Sequence, residues 1–431
     1  MRELGKGFED DFRWPDTDIA AIDDSLCYHS RKQQSSIERL DIESLKSTNF
    51  IVDQLELAYQ KTKIEYRGWP QDYAKFIRDS VDWNASPGWP WKRNYPTNRD
   101  LFLFDGVQCD PLRVAMVEMA VRQRWLDLIT GPKSDPIYCF VKPEPHKISK
   151  VQKKSWRLIS GVGLTDTLVD RILYGDWLDA MIKNWAEIPS KAGWTPSGGG
   201  FLWMAKTFRG RKPVSIDKSA WDWTVNYWHV SIIERLVPRM IVGRDSEWDY
   251  VFSNRIQSMF MAGNPVFKMQ CGCEFTQLVT GIMKSGCLGT IAFNSIWQYA
   301  SHLAVGAPPH SLLYSLGDDT VQEEMNNMQY YVEMLGKTGA EIKEIDAGYP
   351  IKFGGHTFDL GGCVPSYRNK HLFSMKYLED NVMLETLVSY QHLYALDPNM
   401  LRFIQTVMVR YFGPTSILSQ DYLKNWYLAL E

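Results

Sequence analysis

Ser311-Leu-Leu-Tyr-Ser-Leu-Gly-Asp-Asp-Thr-Val-Gln322 alternates apolar and polar residues, pauses at Gly317-Asp318 and resumes. A period of two is the mark of a half-buried strand, and Gly-Asp suits a two-residue hairpin turn. The stretch therefore predicts strand 311–316, a turn, and a return strand 320–322. Pro308-Pro-His310 closes the helical pattern ahead of it, and the spacing beyond predicts helix 323–335, a glycine-containing turn and strand 341–345. Helix, hairpin, helix and strand make an α+β unit on an antiparallel sheet. Asp318 and Asp319, adjacent at the tip, offer the hard oxygen ligands that Mg²⁺ prefers. A Gly-Asp-Asp triplet arises by chance in roughly one chain of this length in ten, so the turn needs companions before it means chemistry.

The first companion is Asp217-Lys-Ser-Ala-Trp-Asp222, which follows the short buried strand predicted for 213–217. If that strand pairs beside the hairpin, Asp217 and Asp318 can share two divalent ions in an in-line displacement. The competing reading makes Asp217 and Asp222 helix N-caps. The second companion, Ser285-Gly-Cys-Leu-Gly-Thr290-Ile-Ala-Phe-Asn294, is a glycine-containing loop opening a helix. Thr290 and Asn294, four apart, share one helical face that could hydrogen-bond a ribose 2′-hydroxyl. Ser285 as an N-cap and an exposed Asn294 is the alternative. The third is Lys142-Pro-Glu-Pro-His-Lys-Ile-Ser-Lys-Val-Gln-Lys-Lys-Ser-Trp-Arg157, with six Lys/Arg against one Glu. Such positive density suits phosphate, and equally a solvated basic loop.

The chain has 431 residues, 45% hydrophobic and 23% charged, which fits a large folded core and excludes a small binding module or a disordered chain. Its net charge of −3, from 48 basic and 51 acidic residues, means that any polyanion must meet a local basic groove. Seven cysteines without a CxxC pair argue against a disulfide framework and a zinc knuckle, and for a reducing compartment. The start, MRELGKGFEDDFRWPD, lacks the apolar region of a signal peptide, and no run of about 18 apolar residues suggests a membrane span.

Helical spacing marks 35–58, 72–81, 111–129, 166–185, 226–242 and 382 onward, with 277–303 helical on both sides of the Ser-Gly break. Asn84-Ala-Ser-Pro-Gly-Trp-Pro-Trp91 reads as an ordered loop, 137–141 and 156–160 as strands, and Thr195-Pro-Ser-Gly-Gly-Gly200 as a flexible junction.

Taken in order, these motifs resemble those of viral RNA-dependent RNA polymerases, most closely the sobemovirus, polerovirus and barnavirus-like group of positive-strand RNA viruses. Ser86-Pro-Gly88 resembles motif G, and Phe140-Val-Lys-Pro-Glu-Pro-His146 with Trp156-Arg-Leu-Ile159 resembles motif F. Asp217 to Asp222 is similar to motif A, Ser285 to Asn294 to motif B, Ser315-Leu-Gly-Asp-Asp319 to motif C, and Lys352-Phe-Gly-Gly-His-Thr-Phe358 to motif E. Val364-Pro-Ser-Tyr-Arg-Asn-Lys370 adds to the likeness, which spans about residues 84–375; residues 1–80 have no counterpart, and Ile291 stands where a smaller polar residue is expected.

The resemblance implies a right hand of fingers, palm and thumb: 1–210 as N-terminal region and fingers, 211–230 and 276–360 as palm, 231–275 as a fingers insertion, and 361–431 as thumb. It implies RNA synthesis on an RNA template from ribonucleoside triphosphates. Asp217, Asp318 and Asp319 would hold two Mg²⁺ or Mn²⁺ ions. Asp222, Ser285, Thr290 and Asn294 would sense the ribose, and Lys142 and Arg157 would hold the triphosphate. Ser86, Gly88 and Gly286 would meet template RNA, while Lys352 and His356 would grip the primer end. Lys343, ahead of Lys337, would be the general acid that protonates pyrophosphate. The implied partners are template and nascent RNA and other viral replication proteins, with de novo and protein-primed initiation both open. The implied place is host cytoplasm, in replication complexes that partners attach to membranes. A reverse transcriptase would carry an aromatic residue two before the Asp pair and a bulky aromatic at Asp222; a two-metal nuclease would need neither the 285–294 helix nor the basic stretch. A non-catalytic RNA-binding protein would show a basic arm.

Overall fold

The computed structural model describes residues 11–429; the N-terminal stretch that lacks the apolar region of a signal peptide lies in part outside them. Helix α1 (Ile19–Arg39) begins on Asp18, whose side chain accepts from the Ala21 amide, and α2 (Thr48–Ala58) begins on Ser47, which accepts from Phe50. The helical spacing of 35–58 is thus broken at Leu40, where Asp41 caps a short turn instead. Helix α3 (Pro111–Thr130) starts on Asp110 with proline in its first turn. Strands β1 (Ile137–Val141) and β2 (Leu158–Gly161) flank the basic stretch and pair antiparallel. The predicted 166–185 helix runs from Leu164–Asp170 through a wider turn at Arg171–Gly175 into Asp176–Lys183.

Thr195–Gly200 is not a loose junction. Trp194 Nε1 donates to the Gly200 carbonyl at 3.0 Å, and a Cβ on Gly200 would fall 1.8 Å from the Thr195 carbonyl oxygen, so glycine closes a tight turn.

Strand β3 (Pro213–Lys218) precedes helix α4 (Tyr227–Met240), which Asn226 caps. Strands β4 (Val266–Met269) and β5 (Glu274–Thr276) extend the β1–β2 sheet in the order β2-β1-β4-β5. Helix α5 (Thr290–Ala304) begins only after the Ser-Gly motif. The residues before it, expected to be helical, wrap around the buried Lys284 ammonium, which donates to Gln277 Oε1 at 2.7 Å and to the carbonyls of Gly281 and Ile282. A buried ammonium needs such partners, and a helix would have used those carbonyls itself.

Strands β6 (Leu313–Leu316) and β7 (Asp319–Glu323) form the expected hairpin, with Leu316 opposite Asp319 and Gly317 at φ +65° in the turn. Helix α6 (Met328–Gly336) starts five residues later than its spacing suggested, because Glu323 still pairs with Pro213 and Asn327 provides the cap. Strand β8 (Ile342–Ala347) completes a sheet ordered β6-β7-β3-β8, antiparallel throughout. Strands β9 (Ile351–Phe353), β10 (His356–Phe358) and β11 (Cys363–Pro365) make a small antiparallel sheet. Helices α7 (Arg368–Lys376), α8 (Asp380–Leu393), α9 (Pro398–Phe412) and α10 (Gln420–Leu428) end the chain, as the terminal helical pattern predicts.

One continuous apolar core joins α2, α3, α4 and α5 to the inner face of the β3 sheet through Trp177, Trp221, Trp228, Trp248 and Trp297, all at most 2% exposed. Nine of the seventeen tryptophans are buried, so most of them are packing residues. Arg255 forms a bidentate pair with Asp170 at 2.7 and 2.9 Å inside this core. Removing either partner would strand a buried charge.

Candidate active site

Strand β7 pairs directly with β3, with Thr320 opposite Ile216, so Asp217 emerges level with the tip that carries Asp318 and Asp319. The adjacency that the two acid-ended strands invited is present. Neither Asp217 nor Asp222 caps a helix: Asp217 lies within β3, and Asp222 lies inside the short turn Trp221–Thr224. Ser295 on α5 holds the tip in place, accepting from the Gly317 amide at 2.9 Å while its carbonyl accepts from Ser315 Oγ at 2.9 Å.

Like charges gathered there raise one another's proton affinity. Burial, then the charges of Asp318 and Asp217, pushes the Asp319 carboxyl up to about 6. Asp318 is open to water at the tip yet walled by the cleft, and that crowding together with Asp217 raises its carboxyl too. Lys218, which the sequence passes over as a spacer between two acids, is 5% exposed beside them; burial pulls it down to about 8 against the pull of Asp318, Asp217 and Asp319. Its ammonium reaches Thr320 Oγ1 at 3.4 Å.

Lys343 on β8 hydrogen-bonds Asp217. Partial burial opposes its charge, but the Asp217 bond prevails and its pKa is raised. Lys337, the other candidate general acid, is bonded instead to Asp41 and Ser44.

Asn294 is 4% exposed rather than on a solvated face, and its Nδ2 donates to Asp222 Oδ1 at 2.9 Å. Trp221 Nε1 donates to Asn294 Oδ1 at 3.0 Å. Burial pushes Asp222 up to about 6, with the Asn294 bond opposing. Thr290 departs from the shared polar face: its hydroxyl turns back to the carbonyls of Lys284 and Cys287 at 2.9 and 2.7 Å, closing the loop. Ser285 caps no helix, since Gly289 holds that position; its Oγ accepts from the Ser160 amide at 3.0 Å. Gly286 donates to the Ser160 carbonyl at 3.0 Å, and a Cβ there would lie 2.7 Å from that oxygen. The loop is thereby clipped to β2. Ile291, where a smaller polar residue is expected, is exposed.

Lys142 and Arg157 stand at the facing ends of β1 and β2, joined by a 2.8 Å backbone bond, and both pair with Glu144. Ser86 accepts from the Gly88 amide, and Gly88 at φ +65° packs so closely that a Cβ would sit 2.9 Å from Gly163 Cα. Lys352 is bonded to Asp346 at 2.8 Å on the outer side of β9, and His356 Nδ1 pairs with the Gly354 carbonyl while its buried Nε2 has no protein partner. A groove of about 780 Å³ lies elsewhere, among α7, α8 and α9, and none of the carboxylates line it.

Hard carboxylate oxygens that crowd one another fit a divalent cation in chemistry. Among the described residues, however, no three His, Cys, Asp or Glu side chains are gathered as a closed metal shell, and Lys343 occupies Asp217.

The sequence model of the viral RNA-dependent RNA polymerase family matches residues 25–352, beginning well inside the N-terminal segment for which the motifs offered no counterpart. The chain is 30% identical over 321 residues to replicase polyprotein P2AB of Southern bean mosaic virus, covering 70% of this chain and 32% of the polyprotein. It is 27% identical to the RNA-directed RNA polymerase of Mushroom bacilliform virus, over 62% of this chain and 68% of that protein. Protein P1-P2 of Potato leafroll virus is 24% identical over 84% of this chain, which spans 36% of that protein. Against P2AB and P1-P2, then, the chain spans about a third of their length. Among solved structures, the Sicinivirus 3Dpol RNA dependent RNA polymerase superposes with a TM-score of 0.65 at 16% identity, over 88% of this chain and 84% of that one. The fold is that of a right-hand polymerase, and the chain belongs to the viral RNA-dependent RNA polymerase family.

Proposed function

We propose that the chain is the polymerase segment of a positive-strand RNA virus replicase and copies RNA from an RNA template with ribonucleoside triphosphates. The observation that carries this reading is the pairing of β3 with β7, which brings Asp217 to Asp318 and Asp319 beside the Asp222–Asn294 pair. In this reading 211–230 and 276–360 are the palm, 1–210 and 231–275 the fingers side, and 361–431 the thumb.

Asp217 and Asp318, assisted by Asp319, would hold two Mg²⁺ or Mn²⁺ ions once Lys343 leaves Asp217. Such ions lower the pKa of an attacking hydroxyl and stabilise a leaving oxygen. Asp222 and Asn294 present an acceptor and an amide to a ribose 2′-hydroxyl, and Ser285, Gly286 and Thr290 shape the loop beneath. Lys142 and Arg157 bind the triphosphate as a point charge and a planar fork. Ser86 and Gly88 border the template path, and Lys352 and His356 the primer end. Lys343, freed from Asp217, donates a proton to pyrophosphate. Partners are template and nascent RNA and other viral replication proteins, a protein primer among them if initiation is not de novo. We place the work in host cytoplasm on membranes reached through partners; among the described residues no helix is long and apolar enough to cross one.

The test is a purified chain given a short RNA template, labelled ribonucleotides and either Mg²⁺ or Mn²⁺, run beside labelled RNA without nucleotides. Template-dependent incorporation is expected. Degradation of the RNA without synthesis would assign the carboxylates to a nuclease.

A further inference from the structure

Glu144 is the one acidic residue in the basic stretch from Lys142 to Arg157, and three cations converge on it. Lys142 Nζ lies 3.3 Å from Oε2, Lys370 Nζ lies 3.0 Å from the same oxygen, and Arg157 donates to Oε1 at 3.0 Å. Two of these are the side chains assigned above to the incoming triphosphate. The third stands on α7, beyond the small β9–β11 sheet, so this one carboxylate ties the basic stretch to the start of the terminal helices.

The carboxylate is the fixed member of the group. Pro143 and Pro145 flank Glu144, and a residue between two prolines is confined to extended backbone. Its amide donates to the Lys142 carbonyl at 2.8 Å. The Glu144 side chain is 20% exposed, against 37% for Lys142 and 54% for Arg157. The long cationic side chains are therefore the ones free to swing. Burial works against its charge, yet Lys370 first, then Lys142 and Arg157, hold its carboxyl down to about 2, so it is ionised throughout the working range.

A triphosphate and Glu144 thus want the same two cations. We propose that Glu144 is a resident anion that holds Lys142 and Arg157 while no nucleotide is bound, yields them to the triphosphate, and is itself retained by Lys370. Lys370 sets the ease of the exchange, because its share of Oε2 weakens the hold of Glu144 on the other two. Glu144 is a positioning residue acting through Lys142 and Arg157, and the inference rests on the polymerase reading above.

Four proteins test it: wild type, Glu144→Gln, Lys370→Met and the double variant, each assayed for the ribonucleotide KM and kcat of single-nucleotide incorporation. Glu144→Gln keeps the shape and removes the competing charge, so KM falls at least about threefold while kcat moves less. Lys370→Met leaves the carboxylate to the two cations alone, so KM rises at least about threefold, and this rise vanishes in the Glu144→Gln background. A raised or unchanged KM in Glu144→Gln would mean that the carboxylate merely braces the loop. Persistence of the Lys370→Met effect in the double variant would equally overturn the exchange. Calorimetric binding of ATP to the same four proteins separates the two levels of the argument. The expected order of affinities without incorporation faults the polymerase reading alone; incorporation with the order absent faults the exchange alone.

Discussion

Asn294 Nδ2 donates to Asp222 Oδ1 at 2.9 Å, joining the turn after β3 to the first turns of α5 across the floor of the cleft. The Trp221 indole fixes which end of the amide faces Asp222, and the Met283 amide holds the Asp222 carbonyl at 2.7 Å. The pair is pre-set before any substrate arrives.

From this follows a loss of ribose selection when either partner is removed. Asn294→Ala or Asp222→Ala is expected to reduce the preference for ribo- over deoxyribonucleotides about tenfold, the value of one hydrogen bond to a charged group. Competition between ATP and dATP on one template measures it, and unchanged discrimination would refute the assignment.

A second expectation concerns the clip between the Ser285-Gly286 loop and β2. Gly286→Ala puts a methyl 2.7 Å from the Ser160 carbonyl oxygen, where backbone rather than a flexible side chain must give way. The cost is about 1–3 kcal/mol, read as a lower denaturation midpoint, with nucleotide incorporation impaired because β2 also leads from Arg157. Wild-type stability in Gly286→Ala would show that the loop is not clipped as described.

Metal-free stability should depend on pH through Asp319. Its folded carboxyl titrates near 6 against an ordinary value of 3.8, so the folded state binds the proton more tightly. The destabilisation is full above about pH 6 and fades as pH falls towards about 4, a span worth on the order of 3 kcal/mol. Asp222 acts in the same direction. Asp319→Asn is therefore expected to unfold later than wild type at neutral pH in a chelator. Millimolar Mg²⁺ or Mn²⁺ should narrow or reverse that ranking, because an ion bound to the folded state stabilises wild type more.

Much of the centre is legible in the sequence because it is local. Gly317-Asp318 encodes its own turn, alternation encodes β6 and β7, and acids at strand ends mark the cleft. The irregular segment before α5 is illegible because a buried Lys284, a residue type that normally signals surface, organises it. Glu144 is hidden for a related reason: one acid among six bases reads as diluted charge, whereas Lys370 reaches it only through the tertiary fold. Lys218 likewise reads as a spacer until burial and three neighbouring carboxylates give it a role.

Lys343 offers a kinetic test independent of stability. Lys343→Ala is expected to lower kcat about a hundredfold, with the nucleotide KM changed much less. Lys337→Ala, removing a side chain bonded to Asp41 and Ser44, should leave kcat near wild type. The reverse ranking would move the general acid to Lys337.

The most direct measurement is labelled nucleotide incorporation on a short RNA template with Mg²⁺ or Mn²⁺, wild type beside Asp318→Ala. Template-dependent product from wild type and none from the variant is the result predicted by a carboxylate centre built on β3 and β7. Equal product from both would contradict it.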